Sequence, residues 1–436
     1  MKRKELFHTI GITSLAVAVA LLPYSTTFCH LFIILFIAAS LAEGEWVNRF
    51  SSGIRNPFVI PFFIFFVLHL VGMIYTTDYG SGWFDLEKKI FLFALPLVLA
   101  VSVPMEKAAV TRLFNVFTIS CTIATAICLY YAFRNASHSD ATLQFSSLTS
   151  FAFYSSPITN LWTFFTYGRL ASAITINPSY LAMYLVFCLL WLAFQHLNFF
   201  GSYSRIKRIS LLLLWFYLSF FIICLSSRIM IIALLALNAF TSFEVLKTNS
   251  IRKKLLLSTF VFLLLCGLIY LNPVSRYRTE EVAMTSTNFA MENFQTESVS
   301  IRASLWWLGL KAFLQTNPIW GEGTGDVIAV IKKVGQENHI SNVLDTYNPH
   351  NQFLYTLIGL GGVGFISLLS CLFLPAFFIS GSGTYLYLGF IAIFFLLCLT
   401  ESALEFQKGI AFFSIFNSLL VFQYCNFRLS TKRISS

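Results

Sequence analysis

Tyr347-Asn348-Pro349-His350-Asn351-Gln352-Phe353-Leu354-Tyr355 leads a polar, histidine-bearing turn straight into an apolar run that continues to about Ile379. A hydrocarbon core about 30 Å thick takes roughly 20 apolar residues per helix, so this run is long enough to cross a bilayer. Backbone groups in lipid must be satisfied within the segment, and the run lacks the period-2 alternation of a barrel strand, so it reads as a helix.

Working outward from that stretch, comparable runs fall at 9–22, 28–42, 57–75, 90–103, 109–133, 178–197, 210–225, 229–243, 255–271, 385–399 and 410–424. The expected fold is therefore an all-α polytopic membrane protein with about twelve transmembrane helices. The division that follows is 1–271 for spans one to nine, with an outer loop at 134–177; 272–349 for a large outer loop; and 350–436 for spans ten to twelve and a tail. Composition agrees: 57% of the residues are hydrophobic and 11% charged, against about 25% charged in soluble domains.

The net charge of +10 does not point to nucleic acid, because the lysines and arginines are scattered over short interhelical pieces and form no stripe. They act instead as topology signals. With Lys2, Arg3 and Lys4 inside, the inner loops also carry Arg49, Arg55, Lys107, Arg205, Lys207, Arg208, Lys253 and Lys254, the positive-inside pattern. An even number of spans places both termini in the cytoplasm. The N-terminal Lys-Arg-Lys and apolar run resemble a signal peptide, but the spans that follow favour an uncleaved first helix. All nine cysteines lie in or beside apolar runs without a CxxC, which reads as small core residues and no metal site.

The loop Asn272–Pro349 is far longer than the roughly 12–15 residues at which a connection becomes functional or disordered. Leu305, Leu308 and Ala312 recur at helical spacing within Ile301–Leu314, and Asn317-Pro318 ends that helix. Gly321-Glu322-Gly323-Thr324-Gly325-Asp326 reads as a flexible turn, and the whole loop as a helical cap on the outer face.

Three residues at the outer boundary stand out. Arg228 opens a helix after a tight Ser226-Ser227 turn; a guanidinium near lipid is costly unless it is paired or faces a polar cavity, though it also fits a snorkelling anchor. Arg302 starts the loop helix, where the plain alternative is a solvated charge. His350 has proton-transfer capability near neutral pH, against the commoner exposed or structural histidine. Arg169 and Arg276 are further outer cations, and the arginine fork suits bidentate phosphate binding. Tyr347 flanks the turn, Asn351 is placed to cap the following helix, and Gly359, Gly361, Gly362 and Gly364 permit close backbone approach. No Walker loop, HExxH, GxSxG or strict DxD occurs.

His350-Asn351, nine residues, Gly361, two residues and Gly364 resembles the histidine-glycine signature of the O-antigen ligase and polymerase superfamily. Arg228 and Arg302 are similar in order and placement to that family's two functional arginines, and Ile176-Asn177-Pro178-Ser179-Tyr180-Leu181-Ala182 also looks like family sequence. The resemblance implies a metal-independent, inverting glycosyltransferase of the bacterial inner membrane. It implies an undecaprenyl diphosphate-linked glycan as donor and, as acceptor, a hydroxyl of lipid A-core or of a growing glycan at the periplasmic face. Arg228 and Arg302 would hold the diphosphate, with Arg169, Arg276, Tyr347 and Asn351 as further substrate contacts, and His350 would orient or deprotonate the acceptor. The ligase reading is preferred. A polymerase of the same superfamily is the alternative, and a lipid-linked sugar transporter or flippase is the reading from a different class. A flippase would show broken repeats and midplane charges, which the apolar runs lack.

Overall fold

The computed structural model describes all residues except 1, 45, 139–161, 200–202, 246–250, 273–275, 277–297, 339–347, 382, 425 and 428–436. The described residues are almost entirely helical. In chain order the helices are α1 (Lys2–Leu21), α2 (Thr26–Ala42), α3 (Trp46–Ile54), α4 (Ile60–Tyr75), α5 (Tyr79–Val101), α6 (Lys107–His138), α7 (Tyr167–Ala171), α8 (Pro178–Phe199), α9 (Arg205–Leu225), α10 (Arg228–Val245), α11 (Ile251–Leu271), α12 (Ser298–Gln315), α13 (Val327–Glu337), α14 (Gln352–Phe378), α15 (Thr384–Thr400) and α16 (Gln407–Leu419). A two-residue antiparallel pairing joins Ile379–Ser380 to Asn426–Phe427.

Every apolar run expected from the sequence falls on one of these helices. Five described helices are long and apolar enough to cross a membrane: 3–21, 107–138, 178–195, 205–225 and 352–378, or six if the bent pair α2 and α3 forms one span. Four more helices are apolar but shorter. The gap between the runs 57–75 and 90–103 reads from the sequence as an outer loop, and here the structure differs. Residues 79–89 are not loop: α5 begins at Tyr79, because Asp78 caps it by accepting from the Ser81 N–H at 3.0 Å and the Ser81 hydroxyl at 2.7 Å. The same two bonds hold the Asp78 carboxyl below its ordinary range.

The chain divides into two compact units, residues 1–117 with 301–436, and residues 118–300. In the second unit α8 is the core element, buried almost throughout from Tyr180 to Phe194 and packed against α9 and α10. In the first, α16 lies against α5, and Phe394 stacks on Phe413 at 4.4 Å within a set that includes Phe390, Phe412 and Phe416. Such rings prefer offset and edge geometries, and their area dominates the packing.

The element that shapes the first unit is the stretch 318–326. The reading of Gly321–Asp326 as a flexible turn is overturned, since Gly321, Gly323, Thr324, Gly325 and Asp326 are all buried. At Gly361, with φ +63, α14 is broken, and the freed backbone pairs with 318–323. Glu322 N donates to Ile358 O at 2.9 Å, Gly323 N to Gly359 O at 3.0 Å and Gly362 N to Pro318 O at 2.8 Å. A Cβ on Gly361 would collide with the backbone of Ile319 and Trp320, and one on Gly321 with the backbone of Gly359 to Gly361. A Cβ on Gly364 would strike the Leu360 side chain. Gly321 and Gly361 are thus required by backbone meeting backbone, and Gly364 by a side chain packed against it. Beyond them, the Asp326 carboxylate accepts from Thr76 Oγ1, Thr77 N, Thr77 Oγ1 and Asp78 N, all at 2.7–3.1 Å, and fastens the loop to the α4–α5 turn.

Candidate active site

Asn351 is the N-cap of α14, as its position in the turn predicts: its Oδ1 accepts from Phe353 N at 2.9 Å and Leu354 N at 3.0 Å. Its Nδ2 donates to Leu399 O at 3.2 Å, which ties the start of α14 to the end of α15. His350, just before the cap, sits at φ +45, a conformation uncommon for a residue with a Cβ. It is held there from outside, since its N–H donates to Asn348 Oδ1 at 2.9 Å and Ser402 Oγ donates to the same oxygen at 2.7 Å.

These ties set His350 Nδ1 at 3.1 Å from Glu401 Oε2. The other oxygen, Oε1, lies 2.6 Å from Nη2 of Arg302, which projects from the N-terminal part of α12. One carboxylate thus joins the two residues of this unit that the sequence marks as chemical. Glu401 is 2% exposed, whereas Arg302 and His350 are 26% and 28% exposed, so the acid is sealed beneath two groups that reach solvent. Arg302 is permanently charged, and a carboxylate opposite it is an acceptor only. Nδ1 is the ring nitrogen placed to donate to that carboxylate, and Nε2 is the one outside this contact. Such an arrangement can serve chemically as a base oriented by a carboxylate, with a cation at its side.

A second polar set, buried apart from the half-buried Tyr355, lies behind the first. Gln352 Oε1 accepts from Leu404 N at 2.7 Å, and its Nε2 donates to Glu405 Oε1 at 3.0 Å. Lys89 Nζ pairs with Glu405 Oε2 at 2.5 Å, and Lys88 Nζ reaches the Glu405 carbonyl at 3.1 Å as well as Asp85. Tyr355 OH donates to Asp85 Oδ2 at 3.1 Å. Charges this deep persist only when paired and hydrogen-bonded.

Of the remaining predicted residues, Gly361 and Gly364 lie in α14, and Tyr347 falls outside the described residues. Arg228, Arg169 and Arg276 belong to the 118–300 unit. Arg228 opens α10 after Ser226 at φ +51, Arg169 stands over the Phe164 ring at 5.3 Å, and Arg276 over the Tyr270 ring at 5.3 Å. Nothing in the sequence marks Glu401, which sits in a short polar loop where an acid reads as solvated. The available signal was an acid at the end of an apolar run on the side otherwise assigned to His350. Glu405 carried the same signal, and Lys88 and Lys89 its cationic counterpart at the start of an apolar run.

Beside the site, an open cavity of about 540 Å³ is walled by Trp306 and Leu310 of α12, Leu354 and Phe365 of α14, and Phe395 and Leu399 of α15, with Asn351 at its polar end. No curated protein matches the chain. Residues 211–369 match the family described as O-antigen ligase, a stretch that contains Arg228, Arg302, His350, Gly361 and Gly364. That match supports the O-antigen ligase and polymerase superfamily for this stretch of the chain.

Proposed function

We propose that the protein is a metal-independent, inverting glycosyltransferase that moves a glycan from undecaprenyl diphosphate to an acceptor hydroxyl, with lipid A-core as the acceptor. The observation that carries this reading is the Arg302–Glu401–His350 arrangement, which combines a base, its orienting carboxylate and a cation in one place. The acceptor hydroxyl gives its proton to His350 Nε2 as its oxygen attacks the anomeric carbon. The bond from that carbon to the diphosphate oxygen breaks on the opposite face, which inverts the centre, and the diphosphate leaves with the electron pair. Glu401 stabilises the imidazolium, and Arg302 the charge that grows on the leaving group. Arg228, Arg169 and Arg276 are proposed as further diphosphate contacts, and Tyr347 and Asn351 as contacts to the glycans.

The same reading places about twelve spans in the bacterial inner membrane, with both termini cytoplasmic and the site on the periplasmic side. Polymerisation on the carrier uses the same bond changes and is the alternative. The surface glycan profile of cells carrying His350→Ala separates the two, with lipid-A-linked material resolved from carrier-linked material. Full-length polymer left on the carrier identifies a ligase; single repeats alone identify a polymerase. An unchanged profile, in a strain without a second such enzyme, overturns both and favours a transporter.

A further inference from the structure

We propose that Gln352 and Glu405, backed by Lys89, are positioning residues for this transfer: they fix the register between segment 348–352, which carries His350, and segment 399–405, which carries Glu401. The inference rests on the reading of His350 and Glu401 as the reacting base and its partner. The two segments are stitched by paired polar links, Asn348 to Ser402, Asn351 to Leu399, and Gln352 to both Leu404 and Glu405. His350 and Glu401 meet inside that seam at 3.1 Å, close enough that a slip of one bond length would open their contact.

The seam needs an outside hold for two reasons. His350 is in the left-handed region, so the local chain does not favour this conformation by itself. Residues 403–405 form a single 3-10 turn, with few internal bonds of its own. Gln352, with no exposed surface, supplies the hold from one side. Its amide donates to the Glu405 carboxylate and accepts from the Leu404 N–H, so one planar group fixes both backbone and side chain of the turn. Lys88 and Lys89 of α5 supply it from the other side through the Glu405 carbonyl and carboxylate. None of these groups reaches solvent as His350 and Arg302 do, which separates them from the reacting set.

The test uses three variants of the purified full-length protein. Gln352→Met keeps the volume and removes both bonds. Gln352→Glu sets two carboxylates face to face. Gln352→Glu combined with Glu405→Gln exchanges the amide and the carboxylate, restoring the hydrogen bond and the net charge. Transfer kinetics are measured on each. Register is read separately, by cross-linking yield with a short bismaleimide between cysteines introduced by Asn348→Cys and Ser402→Cys. Both single variants are expected to lower kcat by about 100-fold, the scale of a 1 Å misplacement, with the donor KM unchanged. They also lower the cross-link yield several-fold, and the exchange variant recovers most of both. Wild-type kcat in Gln352→Met, or an exchange variant as poor as the singles, overturns the proposal. If the singles fail to fold, the exchange variant alone decides. If the wild-type protein transfers no glycan, the functional reading fails, while the cross-linking still decides whether Gln352 sets the register.

Discussion

Glu401 is the residue on which the electrostatics of the site turn, because it is buried and shared by Arg302 and His350. Glu401→Gln keeps the shape but replaces an acceptor pair with one acceptor and one donor, which removes the partner of an imidazolium. Loss of a carboxylate that orients a catalytic histidine costs up to about 10⁴-fold in turnover. That loss is expected in steady-state transfer kinetics, with protein yield and thermal stability close to wild type. Arg302→Lys keeps the charge but loses the planar fork, so donor KM is expected to rise in the same assay. His350 and Arg302 were legible in the sequence because each stands out against its neighbours. Glu401 was not, since its link to His350 spans 51 residues of chain and only the fold closes it.

At the scale of elements, the break in α14 and the loop 318–326 form one device. Gly361 supplies a positive φ and room for the backbone of Ile319 and Trp320, so Gly361→Ala meets both strain and collision. A destabilisation of about 1–3 kcal/mol or more follows from the strain alone, visible as a lower unfolding temperature in detergent. Asp326→Ala strands the donors of Thr77 and Asp78 and is expected to cost about 1–3 kcal/mol or more by the same measurement. The glycine spacing was readable as close approach, but its partner was not. Gly321-x-Gly323-x-Gly325 read as a mobile turn because glycine signals conformational freedom locally, and burial against α14 is decided by contacts distant in sequence.

At the scale of the whole molecule, the helices themselves were the most legible feature, since continuous apolar runs leave the backbone no alternative in lipid. Their ends were less so: α5 starts well before its apolar run because Asp78 caps it and because Lys88 and Lys89 find buried acids. A charge in an apolar region reads as a boundary until its counter-charge is known. The Lys89–Glu405 pair yields a prediction here. Lys89→Met leaves a buried carboxylate uncompensated and costs about 3–5 kcal/mol, whereas Lys89→Met with Glu405→Gln recovers most of it. Folded yield and unfolding temperature in detergent check both.

The most direct measurement is glycan transfer by the purified protein from a polyprenyl diphosphate-linked donor to its acceptor, with wild type and His350→Ala compared under identical donor saturation. The account predicts that donor binding persists in the variant while turnover falls by about 10²- to 10⁴-fold, the usual contribution of a positioned base. Turnover by His350→Ala equal to that of wild type would contradict it.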